Sequence, residues 1–208
     1  MNILIGNQKG GVGKSTLTVC AANYLTLAKQ KEAIILDMDY QQSISQKYQK
    51  AKLLENTEPY EVLQANLEDY SLLSNALSQN ANAAILIDLP GKLDDDGLIP
   101  VFTSADLVIC PFSYDEFTFE STILFSVVLK KVNPKARVFF IPNRIKANAK
   151  FEIMEEVNLQ LQKFGTLTAA IPDRVDFQRI TTYQTPLSLL PVLAPVFEQI
   201  FDKSLWNK

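Results

Sequence analysis

Three stretches of this chain read Ala-Ile-Ile-Leu-Asp (33–37), Ala-Ala-Ile-Leu-Ile-Asp (83–88) and Ala-Arg-Val-Phe-Phe-Ile-Pro (136–142). None alternates polar with apolar residues. Near-continuous apolar runs of this length are how strands covered on both faces read, and such strands belong to parallel sheets. Further strand candidates are 2–6, 106–111 and 166–171, with the three runs extending over 33–38, 84–89 and 136–142. Helical patterns fill the intervals at 14–30, 43–52, 67–79, 117–132, 148–164 and 194–205; the first carries Leu17, Ala21, Leu25 and Ala28 on one face. Strand–helix alternation predicts a doubly wound, mostly parallel α/β sheet with helices on both faces and right-handed crossovers. At 208 residues, with neither repeat nor linker, the chain reads as a single domain over 1–208. Ligands on such sheets bind beyond the carboxyl ends of the strands, so the polar residues there are read first.

Two residue counts narrow the chemistry. The chain has no histidine, which excludes a Ser-His-Asp triad, a Cys-His dyad and any metal site with an imidazole ligand. It has seven glycines, and four of them (Gly6, Gly10, Gly11, Gly13) fall within eight positions. Glycine concentrated in this way marks backbone in a conformation that other residues resist. Cys20 and Cys110 are isolated and complete neither a disulfide framework nor a metal or cluster ligand set, which fits a reduced, cytoplasmic compartment. The N-terminus lacks the basic and apolar regions of a signal peptide, and no apolar run reaches the roughly 20 residues of a membrane span.

Residues 7–16 read Asn-Gln-Lys-Gly-Gly-Val-Gly-Lys-Ser-Thr, between a strand and a helix. In that setting Gly10, Gly11, Val12 and Gly13 let successive backbone N–H groups converge on an anion, and the helix N-terminus adds partial positive charge. Lys14 is placed to reach β- and γ-phosphates, the Ser15 hydroxyl to bind Mg²⁺, and Thr16 to donate toward an α-phosphate. The standard P-loop pattern wants glycine at the position of Gln8. The sequence instead fits the deviant form Lys-Gly-Gly-x-Gly-Lys-Ser/Thr, which adds Lys9.

Two more strand ends are acidic. The run at 33–38 leads into Asp37-Met-Asp39-Tyr40, with carboxylates at i and i+2 on one face. Carboxylates facing a phosphate site suit Mg²⁺ and its waters, or the polarising of an attacking water; a helix N-cap is the alternative for Asp39. The run at 84–89 delivers Asp88, in the pattern of a Walker B aspartate holding Mg²⁺, followed by Pro90-Gly91 as a turn able to sense a γ-phosphate.

With these motifs, the sequence resembles the ParA/MinD family of deviant Walker A ATPases, in the short ParA form, over essentially its whole length. The resemblance implies ATP and Mg²⁺ as cofactors and an ATP-dependent homodimer in which Lys9 reaches the partner's nucleotide. It further implies Asp37 near the Mg²⁺ shell, Asp39 orienting the hydrolytic water, and the strand ends Ile-Pro-Asn143-Arg144 and Ile171-Pro172-Asp173 flanking adenine. Asn143 offers a base edge both donor and acceptor, with a plain strand-end turn as the alternative. Tyr40 stands where the family has proline.

The implied role is slow, partner-stimulated ATP hydrolysis in DNA partition or cargo positioning, with a ParB-like or other stimulating protein. Non-specific DNA binding would need basic residues near the second Ile-Pro. Asp173 and Asp176 stand there, with Arg174, Arg179, Lys130, Lys131, Lys135 and Lys146 as substitutes, and the net charge is −3. A nucleotide-switched adaptor in conjugation or complex assembly is the second reading. The C-terminal stripe Val196, Phe197, Ile200, Phe201, Leu205 reads as core packing rather than a membrane anchor, since its charged neighbours sum to zero. A sequence-specific DNA-binding extension ahead of the first strand is not expected.

Overall fold

The computed structural model of the chain describes residues 1–54, 58–77, 80, 82–91, 96–147 and 151–202. Seven parallel strands form one sheet: β1 (Asn2–Ile5), β2 (Ala33–Asp37), β3 (Glu61–Gln64), β4 (Ala84–Asp88), β5 (Leu107–Phe112), β6 (Arg137–Pro142) and β7 (Thr166–Leu167). Their spatial order is β3-β2-β4-β1-β5-β6-β7. The order reverses direction around β1, so the loop leaving β1 lies at a switch point, where doubly wound sheets bind ligands.

Successive residues of each strand serve opposite layers. Ile3, Ile5, Ile35, Leu86, Ile109 and Ile141 enter one core. It is covered by α1 (Lys14–Asn23), α2 (Ser43–Leu53) and α7 (Leu190–Ile200). Leu4, Leu36, Ile87, Val108, Cys110 and Phe140 enter the other. Its cover is α3 (Tyr70–Leu77), α4 (Leu98–Ser104), α5 (Glu116–Val132) and α6 (Met154–Leu161). Polar-free strands are therefore a requirement of this three-layer packing, because both strand faces leave water. Cys20 and Cys110 are free thiols buried one in each layer. Burial pushes the Cys20 thiol up to about 12 and that of Cys110 higher, as expected of small core hydrophobes.

Several elements differ from their sequence patterns. The strand Glu61–Gln64 lies at the sheet edge, where its outward Glu and Gln remain solvated, so it has no apolar run to announce it. The helix Leu98–Ser104 carries Pro100 in its first turn, where a missing N–H costs nothing, and is too short to show a period. The segment 14–30 is an α-helix only to Asn23; Tyr24–Ala28 widens into a π-turn, where the Thr26 hydroxyl bonds the Ala22 carbonyl at 2.8 Å. Only two residues of 166–171 pair as β7. The last helix begins at Leu190, four residues before the pattern suggests, and buries Val196, Phe197, Ile200 and Phe201. Leu205 and the ends of the 67–79 and 148–164 patterns lie outside the described residues. Among the described residues no helix is long and apolar enough to cross a membrane.

Candidate nucleotide-binding site

The loop from β1 to α1 is anchored before it turns. Asn7, wholly buried, donates from Nδ2 to the Pro111 carbonyl (2.9 Å) and to Thr122 Oγ1 (2.8 Å), while its Oδ1 accepts the Lys9 amide (2.9 Å). This ties the loop's start to β5 and α5. Gly11 and Gly13 then take φ of +78° and +94°, the left-handed region that side chains resist. Gly13 is also the N-cap of α1, and a Cβ there would collide with Asn143 Nδ2. The glycine is thus required twice over, by φ and by space.

Lys14 turns back under the loop. Its side chain is buried and Nζ donates to the Lys9 carbonyl at 3.3 Å. Burial lowers its pKa, while Asp88 and Asp39 pull it back up. A Cβ placed on Gly91 would lie 3.8 Å from Lys14 Nζ and 3.8 Å from Gly10 Cα, so the Pro90-Gly91 turn abuts the loop. Lys9, by contrast, is exposed and its ammonium sits 5.8 Å from the centroid of the Phe117 ring.

The two strand-end carboxylates are register partners, Asp37 opposite Asp88. Both are buried. Asp37 Oδ2 accepts the Ser45 amide and hydroxyl, each at 2.8 Å, which holds the N-terminal turn of α2. Thr18 Oγ1 lies 3.0 Å from both the Lys14 carbonyl and Asp88 Oδ1. The remaining oxygens, Asp37 Oδ1 and Asp88 Oδ2, have no hydrogen-bond partner. Burial pushes the Asp88 carboxyl up to about 7; Ser15, Thr18 and Lys14 oppose the push and Asp37 adds to it. Two orphaned buried oxygens beside a serine hydroxyl are a donor set of the hard-oxygen kind that suits Mg²⁺. No group of three or more acidic, cysteine or histidine ligands forms among the described residues, so such an ion would complete its shell from phosphate and water.

Asp39 is half-buried and folds into an Asx turn, its Oδ1 accepting the Gln41 amide at 2.8 Å. It does not cap α2, whose N-cap is Gln42 at φ +48°. Tyr40 projects into solvent, 74% exposed.

On the other side of the loop, Asn143 Nδ2 donates to the Val12 carbonyl at 2.8 Å and Arg144 Nη1 to the Gly11 carbonyl at 3.0 Å. The donor end of Asn143 therefore serves the loop. A cavity of about 260 Å³ opens beside Gly13, Thr16 and Leu17, with Asn143, Asp173 and Phe177 among its walls. Pro172 forms a parallel bridge with Ile145 and does not itself line the cavity, unlike its neighbour Asp173. Of the residues singled out by sequence, Gly10–Thr16, Asp37, Asp39 and Asp88 gather around the loop on one side and Asn143 and Asp173 on the other. Thr18 and Ser45 join them without a sequence signal, since no short spacing connects them to the carboxylates they hold; Arg144, named in sequence only as part of a strand end beside adenine, instead donates to the loop. Asn7 carries a faint one, as a polar residue directly after a buried strand.

A left-handed glycine turn leading from a parallel strand into a helix, a buried lysine beneath it and two carboxylates on adjacent strand ends define a P-loop nucleotide-binding protein. Residues 3–187 match the CobQ/CobB/MinD/ParA nucleotide-binding domain, and the chain belongs to that family. No curated protein sequence matches it significantly. Among solved structures it is similar to a plasmid partition protein of Borrelia burgdorferi bound to AMPPNP (TM-score 0.73, 24% identity, covering 95% of this chain and 96% of that one). A variant of McdA from Cyanothece in complex with ATP gives TM-score 0.73 at 14% identity, over 100% and 97% of the two chains. The MinD of a MinC:MinD cell division complex from Aquifex aeolicus gives 0.71 at 17%, over 100% and 96%. The fold is that of ParA/MinD proteins.

Proposed function

We propose that the chain is a Mg-ATP-dependent, dimerising ATPase of ParA type that acts in DNA partition or cargo positioning. The observation that carries this reading is the pairing of a buried Lys14 under the loop with an exposed Lys9 above it. One lysine faces inward to its own loop, and the other is free to meet a second copy. Bound Mg-ATP supplies the transferable phosphoryl group and the cation that neutralises it.

The chain's own residues do the rest. Gly10–Gly13 present amides to phosphate oxygens, and Lys14 adds a desolvated charge, stronger for being out of water. Ser15, Asp37 and Asp88 hold the cation, the two carboxylates offering the oxygens left unpaired inside the fold. Asp39, with one oxygen fixed by the Gln41 amide, orients the attacking water through the other. Asn143 lines the cavity assigned to the base, and Pro172 stands next in the chain to Asp173 of its wall. Lys9 contacts the partner's nucleotide, and the Gly91 turn, resting on Lys14 and Gly10, reports whether the γ-phosphate is present.

The test is size-exclusion chromatography of Asp39→Ala with and without ATP. The expected result is a shift to dimer with ATP and no phosphate release. A variant that hydrolyses ATP at the wild-type rate overturns the role of Asp39, and a chain that stays monomeric in ATP overturns the dimer switch.

One observation favours a second reading, a nucleotide-switched adaptor that does not contact DNA. Arg174 and Arg179 both pair with Asp176, at 3.5 and 3.8 Å, so the cations best placed to bind phosphate already face an acid. Retardation of plasmid DNA at low salt with ATP, falling steeply as salt rises, supports partition; no retardation supports the adaptor.

A further inference from the structure

Arg144 has no role in the reading above, yet it is placed at a cost. Its φ is +58°, one of three left-handed non-glycine residues described. The backbone is pinned on both sides: the Asn143 amide donates to the Phe112 carbonyl (2.7 Å) and the Ile145 amide to the Ile171 carbonyl (3.1 Å), so pairing passes from one neighbour to the other and Arg144 takes up the bulge between them. Glycine is the residue that makes such a turn without strain. An arginine that holds a glycine's position is kept for its side chain.

That side chain reaches over the loop. Nη1 donates to the Gly11 carbonyl at 3.0 Å, and Nε faces Asp173 Oδ1 at 3.9 Å, which steers the guanidinium without burying it. The neighbouring Asn143 takes the next carbonyl, that of Val12. In a trans peptide the C=O and N–H point in opposite directions. Fixing the Gly11 and Val12 carbonyls toward the end of β6 therefore turns the Val12 and Gly13 N–H groups to the opposite face of the loop. Gly11 can rotate its peptide plane almost freely, so nothing in the local backbone selects this orientation. Asn143 is held by contact with Gly13, whereas the Gly11–Val12 peptide depends on Arg144.

We infer that Arg144 is a positioning residue that selects the orientation of the Gly11–Val12 peptide, aiming the Val12 amide at the phosphate of a bound nucleotide. Its aim rests on the nucleotide-binding reading, but the peptide orientation does not. Without the guanidinium the peptide flips between two orientations, and one of them presents a carbonyl to an anion.

Three substitutions separate strain from donation. Arg144→Gly relieves the left-handed φ and removes the donor. It is expected to melt no lower than wild type and to bind ATP about tenfold more weakly, the scale of one charge-assisted hydrogen bond. Arg144→Met keeps the φ cost and much of the bulk without a donor, and shows the same loss. Arg144→Lys, which can still donate to the Gly11 carbonyl, recovers part of it. In nucleotide-free protein the ¹⁵N–¹H resonance of Val12 shifts or broadens in the Gly and Met variants and returns toward wild type in the Lys variant. Unchanged ATP affinity together with an unmoved Val12 resonance overturns the inference. Failure of the wild-type chain to bind ATP overturns the nucleotide reading instead, and leaves the Val12 resonance as the separate measure of what Arg144 does.

Discussion

The two flanks of the loop are built from the same kind of position, the carboxyl end of a parallel strand, and from opposite chemistry. On the β2–β4 side, Asp37 and Asp88 are buried, adjacent and each left with one unpaired oxygen. On the β6–β7 side, Asn143 and Arg144 spend their donors on carbonyls of the loop, and Asp173 stands in solvent. The first flank leaves one oxygen of each carboxylate unpaired within the chain. The second is satisfied by the chain and shapes it. The proposed Mg-ATP site would use both, a cradle already shaped by the chain and carboxylate oxygens left open to a cation.

Breaking this contrast starts at the residue between the flanks. Lys14→Ala removes the only buried ammonium facing the carboxylates among the described residues, and is expected to weaken ATP binding by at least about thousandfold in a calorimetric titration. Gly13→Ala attacks the shaping flank. A Cβ at φ +94° that also displaces the Asn143 amide should cost about 2–4 kcal/mol in urea denaturation, as well as nucleotide affinity.

Asp88→Asn attacks the other flank and has the opposite sign for stability. With its carboxyl raised from 3.8 to about 7, the folded chain keeps a proton there that the unfolded chain has already released. Without nucleotide, stability therefore falls as pH rises from about 4 through about 7. The Asn variant should lose that slope and be about 4 kcal/mol more stable than wild type at pH 8, with little difference at pH 4. The same variant should gain no ATP affinity from Mg²⁺, where the wild type is expected to gain it. If Asp88→Asn destabilises the free protein at pH 8, the carboxylate is not the unsatisfied group described above.

Legibility followed the same division. The carboxylate flank was readable because its residues end buried apolar runs, and a buried run followed by Asp is a pattern within one segment. Asp39 was equally visible, but its choice between capping α2 and turning on Gln41 was decided by Gln42, which takes a left-handed φ and so becomes the cap itself. The shaping flank was half visible. Asn143 stood out as a polar strand end, while the use of its amide depends on where Val12 lies, 131 residues earlier. Ser45 and Thr18 are hidden for a like reason: each holds a carboxylate on a different element. The edge strand β3 escaped because it buries only Val62, and α4 because its one buried set, Leu98, Val101 and Phe102, fills a helix of seven residues too short to repeat it.

What the sequence by itself determined is whatever one segment must do alone. Apolar runs had to become doubly covered strands, and among the crowded glycines Gly11 and Gly13 had to make a left-handed turn. A lysine and serine had to open the helix that follows. What only the tertiary structure decided is which side chains close on those segments from elsewhere. Burial leaves Asp37 and Asp88 each one oxygen short, and β6 delivers an amide and a guanidinium to two loop carbonyls. Those contacts join segments that are close in space and distant in the chain, so no local pattern encodes them.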